Sequence, residues 1–220
     1  MILAFGCSVA HGAETVASGN SEENILYSYP ALVAKHLNTE CSNWAFCGNS
    51  NENIFHQAIE YIPQYNDITA VIVGWTSPVR EVWHCDNRLW QFIPSWCFTS
   101  QDILTPVGHI KDPLKWSDNT PRMCFDKQEY LPALEEIYRV LIKYKFDINE
   151  YQKKRQHYIV ALRSFCQNKN IKLIETCWDS EVDGVNINLG LISPWVAECR
   201  HPTKEEHEMI AKIIIHHYKL

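Results

Sequence analysis

Side chains able to do chemistry gather at the two ends of this chain of 220 residues. Near its start, "MILAFGCSVAHG" delivers a thiol and a hydroxyl, Cys7 and Ser8, straight after an apolar run that stops at Gly6. Near its end, "AECRHPTKEEHEMIAKI" holds His201 just ahead of Pro202 and Thr203, with Glu198 three residues before the histidine. A histidine can take the proton from a serine hydroxyl, and a carboxylate can orient its ring. The pattern therefore predicts a Ser8–His201–Glu198 nucleophilic site, provided the two ends meet. Cys7 is a lesser candidate for the nucleophile and reads better as a thiol packed under the turn. Asp179 and Asp183 are fallback acids. His11 and Glu14 follow Ser8 closely enough to line a pocket or to sit on a surface loop. A plain turn serine and a histidine that merely leads into a helix are the alternatives, and the residues alone leave them open.

Positioning those groups requires strands that end side by side. Four apolar runs have strand character: Ile2–Phe5, Asn43–Cys47, Ala70–Gly74 and Ile171–Thr176. Helical periodicity separates them. Leu26, Tyr29, Leu32, Val33, His36 and Leu37 share a face, with Pro30 in the first turn. Residues 51–65 carry Ile54, Ala58, Ile59 and Ile62 on one side, and residues 148–168 turn Tyr151, Tyr158, Ile159, Leu162 and Phe165 inward. Thr203 and Glu206 make a capping-box pattern ahead of an apolar face of Ile210, Ile213, Ile214 and His217. Strands alternating with helices predict an α/β fold, a three-layer α/β/α sandwich with a mainly parallel sheet. Ligands in such sheets bind beyond the carboxyl ends of the strands, where Ser8 would emerge.

The rhythm breaks at about residues 81–146. Trp83, Trp90, Trp96 and Trp116 fall here, interrupted by Pro94, Pro106, Pro113 and Pro121, and a helical pattern returns over about residues 130–144. This reads as an insertion within a single domain spanning 1–220. It is either a wall or lid over the site or a subsidiary packing cluster.

Composition narrows the function classes. With 46% hydrophobic and 21% charged residues, the chain fits a globular protein able to bury a sizeable core. The net charge is −6, and the longest basic run, Lys153–Arg155, reads as a solvated helix face, so nucleic acid is not an expected partner. No apolar stretch approaches the roughly 20 residues that span a bilayer. Met1–Phe5 is too short for a signal-peptide core and no basic residue precedes it, so a cytoplasmic location is expected. The cysteines number nine, with no Cys-x-x-Cys pair, which argues against a zinc ribbon or a dithiol redox site and fits free thiols. No metal and no cofactor are expected. A nucleotide-binding reading fares poorly, because no glycine-rich phosphate loop follows any strand.

Four blocks, in order along nearly the whole chain, resemble the SGNH (GDSL-like) hydrolase superfamily. Its members are esterases and acetylhydrolases on a flavodoxin-like α/β/α fold. "FGCSVAHG" resembles the first block and implies Ser8 as nucleophile. "NWAFCGNSNENI" resembles the second, implying that the N–H of Gly48 joins that of Ser8 in an oxyanion hole. "VIVGWTSPVRE" resembles the third, and "ECRHPTKEEH" the last, with Glu198 and His201 as acid and base. The departures are specific. Cys7 and Glu198 each stand where the family usually has Asp. Thr76 stands where an Asn usually gives the third oxyanion donor, with Asn49 and Asn51 as other candidates. Outright loss of one such donor typically costs about 10²–10³ in rate. Trp75, Arg80, Asn49 and His11 are the expected substrate-binding residues, although Trp75 also suits space-filling and Arg80 an ion pair. The resemblance implies a serine esterase cleaving small acyl esters, including O-acetyl groups on a carbohydrate. The weakened third block keeps a non-catalytic binding or structural protein on the same fold as the alternative.

Overall fold

Residues 1–17, 21–78, 80–85, 88–92, 147–178, 182, 184–192 and 201–220 are described by a computed structural model. Its strands are β1 (Ile2–Gly6), β2 (Cys41–Asn43), β3 (Ala70–Trp75), β4 (Glu81–Cys85), β5 (Arg88–Phe92), β6 (Leu173–Cys177) and β7 (Ile187–Asn188). Its α-helices are α1 (Ser8–His11), α2 (Glu22–Ile25), α3 (Tyr29–His36), α4 (Asn51–Tyr61), α5 (Ile148–Asn168) and α6 (Lys204–Tyr218). Five strands form one parallel sheet in the order β2-β1-β3-β6-β7, and β4 and β5 pair as an antiparallel hairpin. With the hairpin set aside this is the flavodoxin-like order. Its topological switch point lies at β1 and β3, beyond whose carboxyl ends ligands bind in folds of this order.

Strand alternation sorts the core into two layers. Ile2 and Ala4 of β1, Ala70 and Ile72 of β3, and Ile174 of β6 pack with Val33 of α3 and Ile210 and Ile214 of α6. Leu3, Phe5, Val71, Val73 and Trp75 face the other way, onto Ile54 and Ala58 of α4 and Ile159 and Leu162 of α5. Both sheet faces are thus covered, which explains why the central strands read as continuous apolar runs. Near the carboxyl ends of β1 and β3 the apolar runs are broken by a glycine pair, Gly6 opposite Gly74. A Cβ on Gly6 would lie 2.6 Å from Ala10 Cβ, and one on Gly74 would lie 2.8 Å from the Tyr29 hydroxyl. The missing side chains let α1 settle against the strand ends.

Several elements depart from the sequence expectations. The second strand ends at Asn43, where the expected one began. Asn43 Oδ1 captures the N–H of Ala45 at 3.0 Å, an Asx turn that bends the chain, although Trp44 and Phe46 still donate to the β1 carbonyls of Ala4 and Gly6. The hairpin β4–β5 occupies a stretch expected to be irregular. His217 is exposed, and α6 instead buries His207, Ile210, Ala211 and Ile214, a face reaching further toward its N-terminus. Arg155, expected on a solvated face, is 4% exposed and donates to the carbonyl of Thr76 at 3.1 Å. Lys153 and Lys154 keep to the surface, paired with Glu150 and Glu52. The helical pattern at 130–144 and the tryptophans Trp96 and Trp116 lie outside the described residues.

Candidate active site

Ser8 is the first residue of α1, one step beyond the carboxyl end of β1. It is 7% exposed, and among the described residues its hydroxyl has no hydrogen-bond partner, His201 included. Cys7 caps the helix through its extended backbone, without a side-chain bond, and its thiol is buried. Gly48 is buried and stands at φ 76, a left-handed backbone that suits glycine. Among the described residues neither the Ser8 nor the Gly48 N–H has a partner, so both are available as donors.

Asparagines fix the floor beside them. Asn49 is fully buried, and its amide donates to Gly6 O at 3.0 Å and to Gln57 Oε1 at 3.1 Å. Asn53 donates back to Asn49 Oδ1 at 2.8 Å. Asn51 clamps the exit of β3: its Oδ1 accepts from Thr76 N at 2.9 Å, and its Nδ2 donates to Thr76 O and Ser77 O at 3.0 and 3.1 Å. Asn49 and Asn51 therefore hold the scaffold, and their amides are not directed at a ligand, contrary to the sequence expectation. Thr76 is also fully buried, and its hydroxyl oxygen accepts from Trp178 Nε1 at 3.2 Å. The expected third oxyanion donor is thus withdrawn into the protein. Trp75, expected against substrate, is buried in the core with its indole N–H on Glu175 Oε1 at 2.9 Å.

His201 arrives from the other end of the chain. Two residues on, Thr203 and Glu206 close the capping box of α6, with Thr203 N donating to Glu206 Oε2 at 2.7 Å. His207, one turn into that helix, stacks on Tyr29, and its Nδ1 accepts from Tyr29 N at 3.2 Å. This anchors the helix start to α3 and with it the loop carrying His201. The contact between the two ends is direct: His201 Nδ1 lies 2.8 Å from Glu14 Oε2, in the turn following α1. No sequence signal marked Glu14 as a partner of His201, because a turn has no period and nearness in sequence to Ser8 does not specify a direction.

Two more histidines surround this point. Burial, with the His201 imidazole as a smaller cause, holds His11 down at about 4. Burial also holds His207 down at about 4, against an opposing pull from Glu206 and with a lesser push from His201. Both are therefore neutral near pH 7, and among the described residues His11 Nδ1 and His207 Nε2 are buried without hydrogen-bond partners. His11 shares the helix face of Ser8, one turn on. Arg80 is half-buried at the exit of β3, its guanidinium 5.2 Å from the Trp178 ring centroid and its Nε without a partner among the described residues. Glu198, Asp179 and Asp183 lie outside the described residues. Among the described residues no three potential ligands converge to hold a metal ion, and no helix is long and apolar enough to cross a membrane.

No protein-family description and no curated protein matches the sequence. Among solved structures, the chain is similar to a carbohydrate esterase whose active site displays divergent catalytic and non-catalytic binding functions. That likeness has 12% identity and a TM-score of 0.43, over 99% of this chain and 64% of the other. It is similar also to a carbohydrate esterase family 2 enzyme with a carbohydrate-binding domain from Corynascus thermopiles (Myceliophthora fergusii). There the identity is 10% and the TM-score 0.43, over 100% of this chain and 66% of the other. A lipolytic G-D-S-L family member from Veillonella parvula DSM 2008 gives 11% identity and a TM-score of 0.34, over 96% and 93% of the two chains. This chain spans about two thirds of the length of the two carbohydrate esterases.

Proposed function

We propose that this protein is a serine esterase of the SGNH type, acting on small acyl esters with Ser8 as nucleophile and His201 as general base. One observation carries the reading: the 2.8 Å contact of Glu14 with His201 brings the loop before α6 onto the turn that follows Ser8. Ser8 Oγ attacks the ester carbonyl as its proton passes to His201 Nε2. The carbonyl oxygen becomes an oxyanion facing the N–H groups of Ser8 and Gly48. The ester C–O bond then breaks, and His201 returns the proton to the departing alcohol. Water attacks the acyl-serine with His201 again as base, releasing the carboxylic acid and restoring Ser8. With Thr76 turned inward, two backbone donors carry the oxyanion, and a rate about 10²–10³ below a three-donor site is expected.

We take the alcohol to be a carbohydrate hydroxyl and the acyl group to be acetyl. The aromatic residues at 81–146 support this through their capacity to stack on sugar rings. Purified protein should release p-nitrophenol from p-nitrophenyl acetate, and Ser8→Ala should abolish the release while leaving the melting temperature unchanged. The inward-facing Thr76 and the Ser8 hydroxyl, unbonded among the described residues, favour a second reading, a binding protein that keeps the fold without turnover. Wild-type hydrolysis equal to that of Ser8→Ala across short acyl esters would establish it.

A further inference from the structure

We propose that Glu14 is the carboxylate that orients His201, an inference that rests on the hydrolase reading above. An ionised carboxylate only accepts hydrogen bonds, so at 2.8 Å from Glu14 Oε2 it is His201 Nδ1 that carries the proton. The lone pair of the neutral ring then sits on Nε2, the nitrogen that receives the proton of Ser8 Oγ.

The turn carrying Glu14 is built independently of that contact. Glu14 stands at φ 62, a left-handed conformation uncommon for a side chain of its type. Before it, Gly12 at φ 85 closes α1, with its N–H on the carbonyls of Ser8 and Val9. The Thr15 hydroxyl donates to Gly12 O at 2.5 Å. After it, the fully buried Asn24 accepts from the N–H groups of Val16 and Ala17, each at 2.9 Å, and donates to Ala17 O at 2.9 Å. Backbone strain held at one position inside a well-bonded loop is typical of working sites. The nucleophile and its orienting acid thus come from one preformed stretch, and only the base comes from far away. Among the described residues, His11 and His207 also feel His201, but both are held neutral near pH 7 and neither supplies a carboxylate. Glu14 touches the base and not the substrate, so it is a positioning residue.

The test uses the full chain, ring ¹⁵N NMR of His201 near neutral pH, and steady-state hydrolysis of p-nitrophenyl acetate. Glycine suits the backbone at this position, so Glu14→Gly should melt no lower than wild type. It should move His201 from the Nδ1–H toward the Nε2–H tautomer. The kcat should fall about tenfold, as expected for a partly exposed charge-assisted bond, with KM changed by less than about twofold. Glu14→Gln, whose amide oxygen still accepts from Nδ1–H, should keep the tautomer and recover part of kcat. An unchanged tautomer in Glu14→Gly overturns the proposal. So does a shifted tautomer with kcat unaffected, or a tautomer lost in Glu198→Gln and retained in Glu14→Gly. A wild type no faster than Ser8→Ala sinks the hydrolase reading alone, because the tautomer measurement still decides the Glu14–His201 pairing.

Discussion

The turn that presents Ser8 and the loop that presents His201 are held by different kinds of force. On the Ser8 side, Gly6, Gly74 and Ala10 bring backbone and helix into near contact, and Asn49 and Asn51 tie the neighbouring strand ends together beneath them. Packing of that density leaves little room for adjustment. On the His201 side, His201 is 30% exposed and its partner Glu14 is 55% exposed, and among the described residues the loop is held by a capping box, the His207–Tyr29 contact and the Glu14–His201 hydrogen bond. Damage on the first side should therefore appear as lost stability, whereas damage on the second should appear first as lost rate.

The largest expected effect is chemical. Ser8→Ala should lower esterase turnover by about 10³-fold or more with an unchanged melting temperature, because a hydroxyl is removed without disturbing the glycine floor. Gly6→Ala should do the reverse. Its new methyl meets Ala10 Cβ and the carbonyl of Gly74, and overpacking of this kind costs about 1–3 kcal/mol, readable by urea denaturation. A Gly6→Ala protein as stable as wild type would erase the distinction between the two sides.

The buried histidines sharpen it through pH. His11 and His207 are held down at about 4 in the folded chain, against an ordinary value of 6.5. Between those values the unfolded chain binds protons that the folded chain refuses. Stability is therefore full above pH 6.5 and falls as the pH drops toward 4, by at most ~3 kcal/mol per histidine. His207→Asn places an amide oxygen where Nδ1 accepts from Tyr29, and should flatten the decline in melting temperature between pH 7 and 4.5. An equally steep decline would remove His207 as its source. The smallest effect belongs to Thr203→Ala, which should cost about 1 kcal/mol of cap energy and ~2–4 °C in melting temperature. Its kcat should fall as well, since the cap supports the loop of His201, and an unaltered kcat would show that Glu14 and His207 hold the loop unaided.

Much of this architecture was legible in the sequence because it follows from periodicity. The long helix at Ile148–Asn168 has the expected bounds, and the Thr203 capping box forms as its spacing implies. The central strands were recognisable because burial on both faces makes them apolar throughout. What escaped were features with no period. Glu14 finds its partner nearly the whole chain away, and a turn held by a buried asparagine looks in sequence like any polar loop. Asn49 and Asn51 of "CGNSNEN" have the chemistry of oxyanion donors, but their amide groups bind backbone carbonyls and, for Asn49, the neighbouring Gln57 and Asn53 side chains. Arg155 looked solvent-facing beside two lysines, yet its side chain reaches the strand exit that those lysines cannot.

The paired glycines at the tips of the two central strands also limit how this protein could be redesigned. Since a methyl group at either tip would meet Ala10 or the Tyr29 hydroxyl at under 3 Å, a binding site above them would have to be reshaped elsewhere than at its base. New selectivity for chain length or charge would have to come from the surrounding loops, above all from the segment around Gly48 and from the chain leaving the third strand at Arg80. An engineer who enlarges residues there keeps the hydroxyl where it is, whereas one who begins at the tips moves it.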